Sequence, residues 1–310
     1  MIVTVTLNPA LDRTAWIDVI RPGRINRLQN VVVQTGGKGI NVSRMVLALG
    51  GMSTAVGLAG GAPGELLLRM LHEQAISSDF VITQAITREN LKLTDNAGVT
   101  TEFNEPGQPV SAHEMELLVA KLLYRGRRGS YFVLAGSLPE ESETTTYRDM
   151  IEKLKNTKSH VLLDTAGQAL SDSINAGVDV LKVNRREFCE FLGLPENTNE
   201  PVLYQGAKEL CARGLELVVV TLGRDGAMFV TREESYRVKA PPVQAVSRTG
   251  AGDCLMGGIV FGLEHGMGLP EIARLATAAA VCAVTLPGTA VPGLAAVREM
   301  ESKLAIQKGK

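Results

Sequence analysis

Little in this 310-residue chain marks it for a specialised class. It has one Trp, four Cys and 4% aromatic residues, and 32 basic against 33 acidic residues leave a formal net charge of −1. Without an excess of positive charge there is no bulk field to draw nucleic acid or an anionic membrane. Acidic tails, long like-charge blocks and low-complexity tracts are also missing, which excludes extensive intrinsic disorder. The start, Met1-Ile-Val-Thr-Val-Thr-Leu-Asn8, has no basic segment and meets Asp12 and Arg13 at once, unlike a secretory signal. The apolar stretch from Ile272 to Leu286 is interrupted by Arg274 and is too short to span a bilayer. Cys189, Cys211, Cys254 and Cys282 form no CxxC pair and have no His at ligand spacing, so they read as buried thiols. A cytoplasmic protein is expected.

What is present is apolar content, at 45%, and 32 glycines. Runs rich in β-branched residues alternate with helical patterns. Ile2–Thr6, Ser53–Leu58, Tyr131–Leu134, Val161–Asp164, Val180–Val183 and Leu217–Thr221 read as buried strands. Between them Gly39–Leu49, Glu65–Gln74, Ser111–Tyr124, Thr144–Asn156, Glu187–Leu192 and Tyr204–Arg213 read as helices. This pattern predicts an α/β fold with a mostly parallel sheet covered by helices. Thr14–Asp18, Val31–Thr35, Leu91–Thr94 and Val99–Asn104 alternate instead, as half-exposed hairpin strands do. They predict a small second sheet, serving as a lid or as an oligomer interface.

The glycines cluster twice before a helix. Thr35-Gly-Gly-Lys-Gly-Ile-Asn41 precedes the first helix, where bare backbone and a helix N-terminus favour an anion. It is not a P-loop, and a flexible loop remains an alternative. Thr249-Gly-Ala-Gly-Asp-Cys254 leads into the helix Leu255–Leu263 and fails the dinucleotide fingerprint, since Leu255 stands where a third glycine is needed. Its Gly250, Ala251 and Gly252 amides can hold developing negative charge beside Asp253. Asp253 is then either a general base or simply an acid at a helix start.

Seven motifs in order carry a resemblance that runs essentially end to end. They are Thr6-Leu-Asn-Pro-Ala-Leu-Asp12, Gly36-Gly-Lys-Gly-Ile-Asn-Val-Ser-Arg44, Thr87-Arg-Glu-Asn-Leu-Lys92, Ala135-Gly-Ser-Leu-Pro139, Leu181-Lys-Val-Asn-Arg-Arg-Glu187, Val220-Thr-Leu-Gly-Arg-Asp-Gly-Ala227 and Gly250-Ala-Gly-Asp253. On these the chain resembles the PfkB (ribokinase-like) family of carbohydrate kinases, in the branch of 1-phosphofructokinase and tagatose-6-phosphate kinase. The resemblance implies one three-layer α/β/α domain over residues 1–310, with lid strands from about 12–35 and 88–105 inserted in it. It implies that Asp253 takes the proton of the acceptor hydroxyl while the amides of Gly250, Ala251 and Gly252 hold the transferring phosphoryl group. Asp12, Gly36, Gly37 and Asn41 would cradle the sugar. Lys38, Arg88, Asn90 and Ser137 would serve a sugar phosphate, with Lys92 adding charge nearby. Lys182, Asn184, Thr221, Gly223 and Gly226 would bind ATP, with adenine near the helix Ala276–Leu286. Glu187 would hold Mg2+ through water.

The family's monovalent-cation (K+) loop would fall near Val246 and Ser247, where Arg248 departs from the usual small residue. Cys254 replaces a commoner serine. The expected reaction is ATP-dependent phosphorylation of fructose 1-phosphate to fructose 1,6-bisphosphate, by a homodimer meeting through its lid strands, with no nucleic-acid or membrane partner. Tagatose 6-phosphate and fructose 6-phosphate are the alternative acceptors. A non-catalytic sugar-phosphate-binding regulator and a dinucleotide-dependent oxidoreductase are the rivals from other classes.

Overall fold

A computed structural model of the protein describes residues 1–309. The chain runs β1 (Ile2–Thr6), β2 (Ala10–Trp16), β3 (Gln29–Gly36), α1 (Lys38–Ala48), β4 (Ser53–Gly60), α2 (Gly61–Glu73), β5 (Ser77–Thr83), β6 (Arg88–Thr94) and β7 (Thr100–Asn104). It continues with α3 (Ala112–Arg125), β8 (Tyr131–Ala135), α4 (Thr146–Lys155), β9 (His160–Asp164), α5 (Gly167–Ser173), β10 (Val180–Asn184), α6 (Arg185–Leu192) and α7 (Glu200–Ala212). The last part holds β11 (Leu217–Thr221), β12 (Ala227–Val230), β13 (Ser235–Lys239), α8 (Ala251–Glu264), α9 (Leu269–Ala283), α10 (Leu294–Glu301) and β14 (Ala305–Lys308).

Ten strands form the main sheet in the order β14-β13-β12-β11-β10-β9-β8-β1-β4-β5. The stretch from β11 to β5 is parallel throughout, and β12, β13 and β14 add an antiparallel margin. Strands buried on both faces need apolar residues at consecutive positions, which is why Leu217-Val-Val-Val220 and Tyr131-Phe-Val-Leu134 carry no alternation. Alternate side chains feed two cores. Val3, Val5, Phe132 and Leu134 pack with Leu118, Tyr147, Phe188 and Leu203 from α3, α4, α6 and α7. Ile2, Val133 and Leu162 pack on the other face with Val42, Met45, Ile259 and Ala276 from α1, α8 and α9. The three-layer α/β/α architecture expected from the sequence is therefore present.

Local chemistry starts several of these helices. Ser111 and Glu114 form a reciprocal capping box at α3, and Asn199 caps α7. Part of the glycine excess serves helix packing. An added Cβ would lie 2.6 Å from Met45 at Gly257, 2.6 Å from Ala276 at Gly258 and 2.7 Å from Ile272 at Gly262. These three let α8 approach α1 and α9, so this part of the glycine excess answers to packing.

The second sheet has the order β3-β2-β6-β7. Its outer pairs are antiparallel hairpins, and the central β2–β6 pair is parallel, with Asp12 opposite Asn90 and Thr14 opposite Lys92. The half-exposed pattern expected here holds for β3, whereas β7 is exposed almost throughout, β2 is mostly buried and β6 is buried or half-buried along its length. All four cysteines are free and buried, as expected. No helix among the described residues is long and apolar enough to cross a membrane.

Candidate active site

The functional side chains gather at the carboxyl ends of β1, β8, β9, β10 and β11, where an open parallel sheet leaves a crevice. Three tight approaches build its floor. An added Cβ would stand 2.7 Å from Thr6 Cγ2 at Gly37, 2.5 Å from Thr6 Oγ1 at Gly39 and 2.9 Å from Asp12 Cγ at Gly36. The Ile40 amide donates to Thr6 Oγ1 at 3.1 Å. Bare glycine thus brings the start of α1 onto the end of β1 and onto the lid.

Opposite lies the start of α8. Gly250 takes a left-handed φ of 81°, and the helix begins at Ala251. First-turn amides have no intrahelical partner, so those of Ala251 and Gly252 form an anion-favouring edge. Lys182 sits at that edge, its Nζ 2.7 Å from the position a Gly252 Cβ would take.

Asp253 is buried one residue further on. Burial, with the neighbouring Asp164 charge, pushes its carboxyl up to about 6, while Lys182, Lys38 and a 2.8 Å hydrogen bond from Asn41 Nδ2 act in the opposite direction. A base near neutrality matches proton abstraction at physiological pH. Asp164, fully buried at the end of β9, accepts from Lys38 Nζ at 2.8 Å and from Lys182 Nζ at 2.7 Å. Burial alone would raise its pKa, but the two ammonium groups hold it below the ordinary carboxylate value. Burial likewise works against the charged form of Lys38, and the Asp164 charge overrides it and holds the ammonium above its usual pKa.

The lid supplies a second polar group. Asp12 accepts from Asn90 Nδ2 at 2.8 Å and from Lys92 Nζ at 3.1 Å, all three buried. Arg88 reaches back from β6 to the Asn8 carbonyl through Nε and Nη2 and to the Glu105 carbonyl through Nη1. Three of its five N–H donors are used, leaving two for an anion. Asn8 Nδ2 in turn lies within hydrogen-bond distance of Ser137 Oγ (3.3 Å), the Pro106 carbonyl (2.8 Å) and the Leu138 carbonyl (3.2 Å).

Of the residues singled out by motif, Lys38, Asn41, Lys182 and Asp253 converge around Asp164, and Asp12 and Asn90 join across the lid. Lys38 and Arg88 share no partner, but Lys38 borders Gly136, next to Ser137. Asn184 and Glu187 form a capping box at α6, with the Asn184 amide on Glu187 Oε2 at 2.8 Å and the Glu187 amide on Asn184 Oδ1 at 2.9 Å. Thr221 ends β11, and Gly223 opens a 3-10 turn with space around its α-carbon. Gly226 combines φ 98° with a close approach of the Val238 carbonyl, so its first requirement is structural. Arg248 is exposed and makes no hydrogen bond or ion pair among the described residues. Burial and Asp253 push the Cys254 thiol up to about 12, which leaves it inert.

Asp164 was missed, although a carboxylate at the carboxyl end of a parallel strand is a signal in itself. Lys92, expected to add charge near the sugar phosphate, is buried against Asp12 instead. His160, Asp179 and Glu216 also lie close together, but at the opposite ends of β9, β10 and β11, and Lys155 already bonds both Asp179 oxygens at 2.7 Å.

A buried carboxyl at a helix start, with lysines beside it and a polar lid above, suits the class that the comparisons show. The chain is an ATP-dependent sugar-phosphate kinase and belongs to the pfkB family of carbohydrate kinases, whose pattern matches residues 5–295. It is 36% identical over 291 residues to the ATP-dependent 6-phosphofructokinase isozyme 2 of Mycobacterium tuberculosis, covering 93% of this chain and 85% of that one. It is 31% identical over 287 residues to the 1-phosphofructokinase of Vibrio cholerae, covering 93% and 90%. Its fold matches phosphofructokinase-2 from Escherichia coli in complex with potassium, with TM-score 0.93, 30% identity and coverage of 97% and 98%. A tetrameric inhibited form of that Escherichia coli enzyme matches with TM-score 0.91 at 30% identity, covering 97% and 98%.

Proposed function

We propose that this kinase transfers the γ-phosphoryl group of ATP to O6 of fructose 1-phosphate, giving fructose 1,6-bisphosphate and ADP. The observation that carries the reading is Asp253, a buried carboxyl raised to about 6 beside the amides of Ala251 and Gly252. The acceptor hydroxyl gives its proton to Asp253 as its oxygen bonds to phosphorus, and the bond from phosphorus to the ADP oxygen breaks. The Gly250–Gly252 edge and Lys182 face the charge that spreads over the transferring group. Asp12, held by Lys92 Nζ at 3.1 Å, accepts from sugar hydroxyls together with the Gly36, Gly37 and Asn41 cradle. Lys38, Arg88 and Ser137 address the sugar phosphate, Arg88 through its two unused donors. Thr221 and Gly223 border the nucleotide.

Glu187 fits an outer-sphere magnesium role. The cap uses Oε2, and Oε1 has no protein partner among the described residues. Magnesium keeps several of its waters and, when bound, neutralises phosphate charge. For a monovalent cation, the Val246–Ser247 loop is pinned by two amide bonds to the Val284 carbonyl, at 2.8 and 3.2 Å. The proposed catalytic unit is a single domain over 1–310. A homodimer through the lid would cover Trp16, Val31, Val32 and Phe103, which are exposed on its strands.

Fructose 6-phosphate is the second reading, favoured by the similarity to the mycobacterial 6-phosphofructokinase. The test is ADP release with fructose 1-phosphate, tagatose 6-phosphate, fructose 6-phosphate and free ketoses, with and without EDTA, in K+ or Na+. The highest kcat/KM is expected for fructose 1-phosphate. Preference for another phosphate reassigns the acceptor, and no release with any of them returns the sugar-phosphate-binding regulator.

A further inference from the structure

Asn41 lies between two charged groups, and its orientation matters. Its Nδ2 donates to Asp253 Oδ2 at 2.8 Å, while its Oδ1 accepts from Arg44 Nη1 at 3.2 Å. An amide can present either end, and a turn of half a revolution would set an oxygen against the Asp253 carboxylate. Arg has donors only and keeps its charge, so it can donate only to the Oδ1 end. Three residues apart on α1, Asn41 and Arg44 share a helix face.

We propose that Arg44 is a positioning residue for the general base: it holds the Asn41 amide toward Asp253 and ties that orientation to the loop Pro287–Ala290 beneath the lid. The inference rests on the kinase reading above and deepens it. Arg44 Nη1 also donates to the Thr289 carbonyl at 2.9 Å. Thr289 lies against Gly250, with its Cα 3.5 Å from the position of an added Cβ there. The Thr289 amide donates to Gln34 Oε1 at 3.4 Å, and that same oxygen closes over Gly288. Gln34 stands on β3 opposite Asp12 of β2. A continuous set of contacts therefore runs from the lid residue beside Asp12, through Thr289 and Arg44, to Asn41 and the base. A lid settled on an acceptor holds the loop, the loop holds Arg44, and Arg44 keeps the base aimed.

The groups facing Asp253 are Asp164 from β9, Lys182 from β10, and Lys38 and Asn41 from α1, with the Cys254 thiol on its own helix. The Asn41 bond is among the influences that lower the base's pKa. Its loss moves the acid limb of kcat to higher pH, which a purely structural role for Arg44 would leave in place.

The test is steady-state ADP release by full-length wild type, Arg44→Met, Arg44→Lys, Asn41→Ala and the Asn41→Ala/Arg44→Met double variant, on the ketose phosphate that wild type uses. Arg44→Met is expected to lose roughly ten- to hundredfold in kcat, the range for a misplaced catalytic group, with KM for both substrates within about threefold. Its acid limb should rise, and the double variant should be no slower than Asn41→Ala alone. If the Met variant does not fold, Arg44→Lys carries the test. It keeps the charge but replaces the planar Nη1 amino group that donates to both acceptors, so a raised limb is again expected. An unmoved limb with kcat within twofold of wild type overturns the proposal, as do losses that multiply in the double variant. Absence of wild-type turnover on every ketose phosphate overturns the kinase reading, and the inference with it, and is thereby distinguished from failure of the Arg44 role alone.

Discussion

Replacing Asp253 by Asn should make the protein slower and more stable at once. The amide keeps the size of the side chain and can still accept from Asn41, but it cannot take a proton. General-base contributions of about 10²- to 10⁴-fold set the expected fall in kcat, with sugar-phosphate binding retained. Stability moves the other way. The carboxyl is raised from 3.8 to about 6, and about two pKa units at about 1.4 kcal/mol each give roughly 3 kcal/mol against the ionised form. A group raised in this way favours the folded state below its unfolded pKa, and that contribution is lost as pH rises through the folded value. Wild type thus loses stability between about pH 4 and 6 that the variant keeps. For a chain of this length, roughly 2 cal/mol/K per residue of unfolding entropy converts 3 kcal/mol into about 5 °C of Tm. The assay is paired: ADP release at saturating substrates, and thermal melts at pH 8 and pH 4. The gap in Tm should be present at pH 8 and close toward pH 4. Turnover within tenfold of wild type, or a variant no more stable at pH 8, refutes the assignment of a strained base.

Three further outcomes follow from contacts described above. Lys92→Met leaves the buried Asp12 carboxylate with Asn90 alone; about 3 kcal/mol of stability should be lost in urea titrations and the acceptor KM should rise, and an unchanged midpoint would show that the pair is not what holds Asp12. Lys38→Ala should chiefly raise KM for the phosphorylated sugar, and an unchanged KM would remove Lys38 from the phosphate site. Gly226→Ala forces a methyl against the Val238 carbonyl on a left-handed backbone, costing roughly 3 kcal/mol by chemical denaturation; stability equal to wild type would deny that the approach is tight.

Periodicity disclosed most of the fold because buried parallel strands leave a strong trace. The bounds of β1 and β11 coincide with the runs Ile2–Thr6 and Leu217–Thr221. The antiparallel margin was not legible, since β12 and β14 have only four residues each, shorter than β1 and β11, and β14 has no buried run. Alternation located the lid strands but could not say which face is covered, so it did not show that Lys92 is buried. At the site, motifs pointed to Asp253, Lys38 and Lys182, which stand in short local patterns of neighbouring residues. Asp164 and Arg44 escaped because their importance lies in what meets them from over 100 positions away: Lys38 reaches Asp164 from α1, and the Thr289 carbonyl reaches Arg44 from beyond α9.

The parallel pairing at the centre of the lid sets an order of assembly. Two neighbouring hairpins could form early by themselves, but β2 and β6 meet only when chain segments as distant as Ala10 and Arg88 are brought side by side. The main sheet does that, through β1, β4 and β5 lying adjacent. Closing so long a loop carries its entropy before any lid contact is made, so the lid sheet should be among the last parts to fold and the first to exchange its amides. The surface that grips the acceptor is in this sense a conditional structure. Slack introduced anywhere along β1, β4 or β5 is expected to appear first as a loosened hold on sugar, well before the kinase as a whole unfolds.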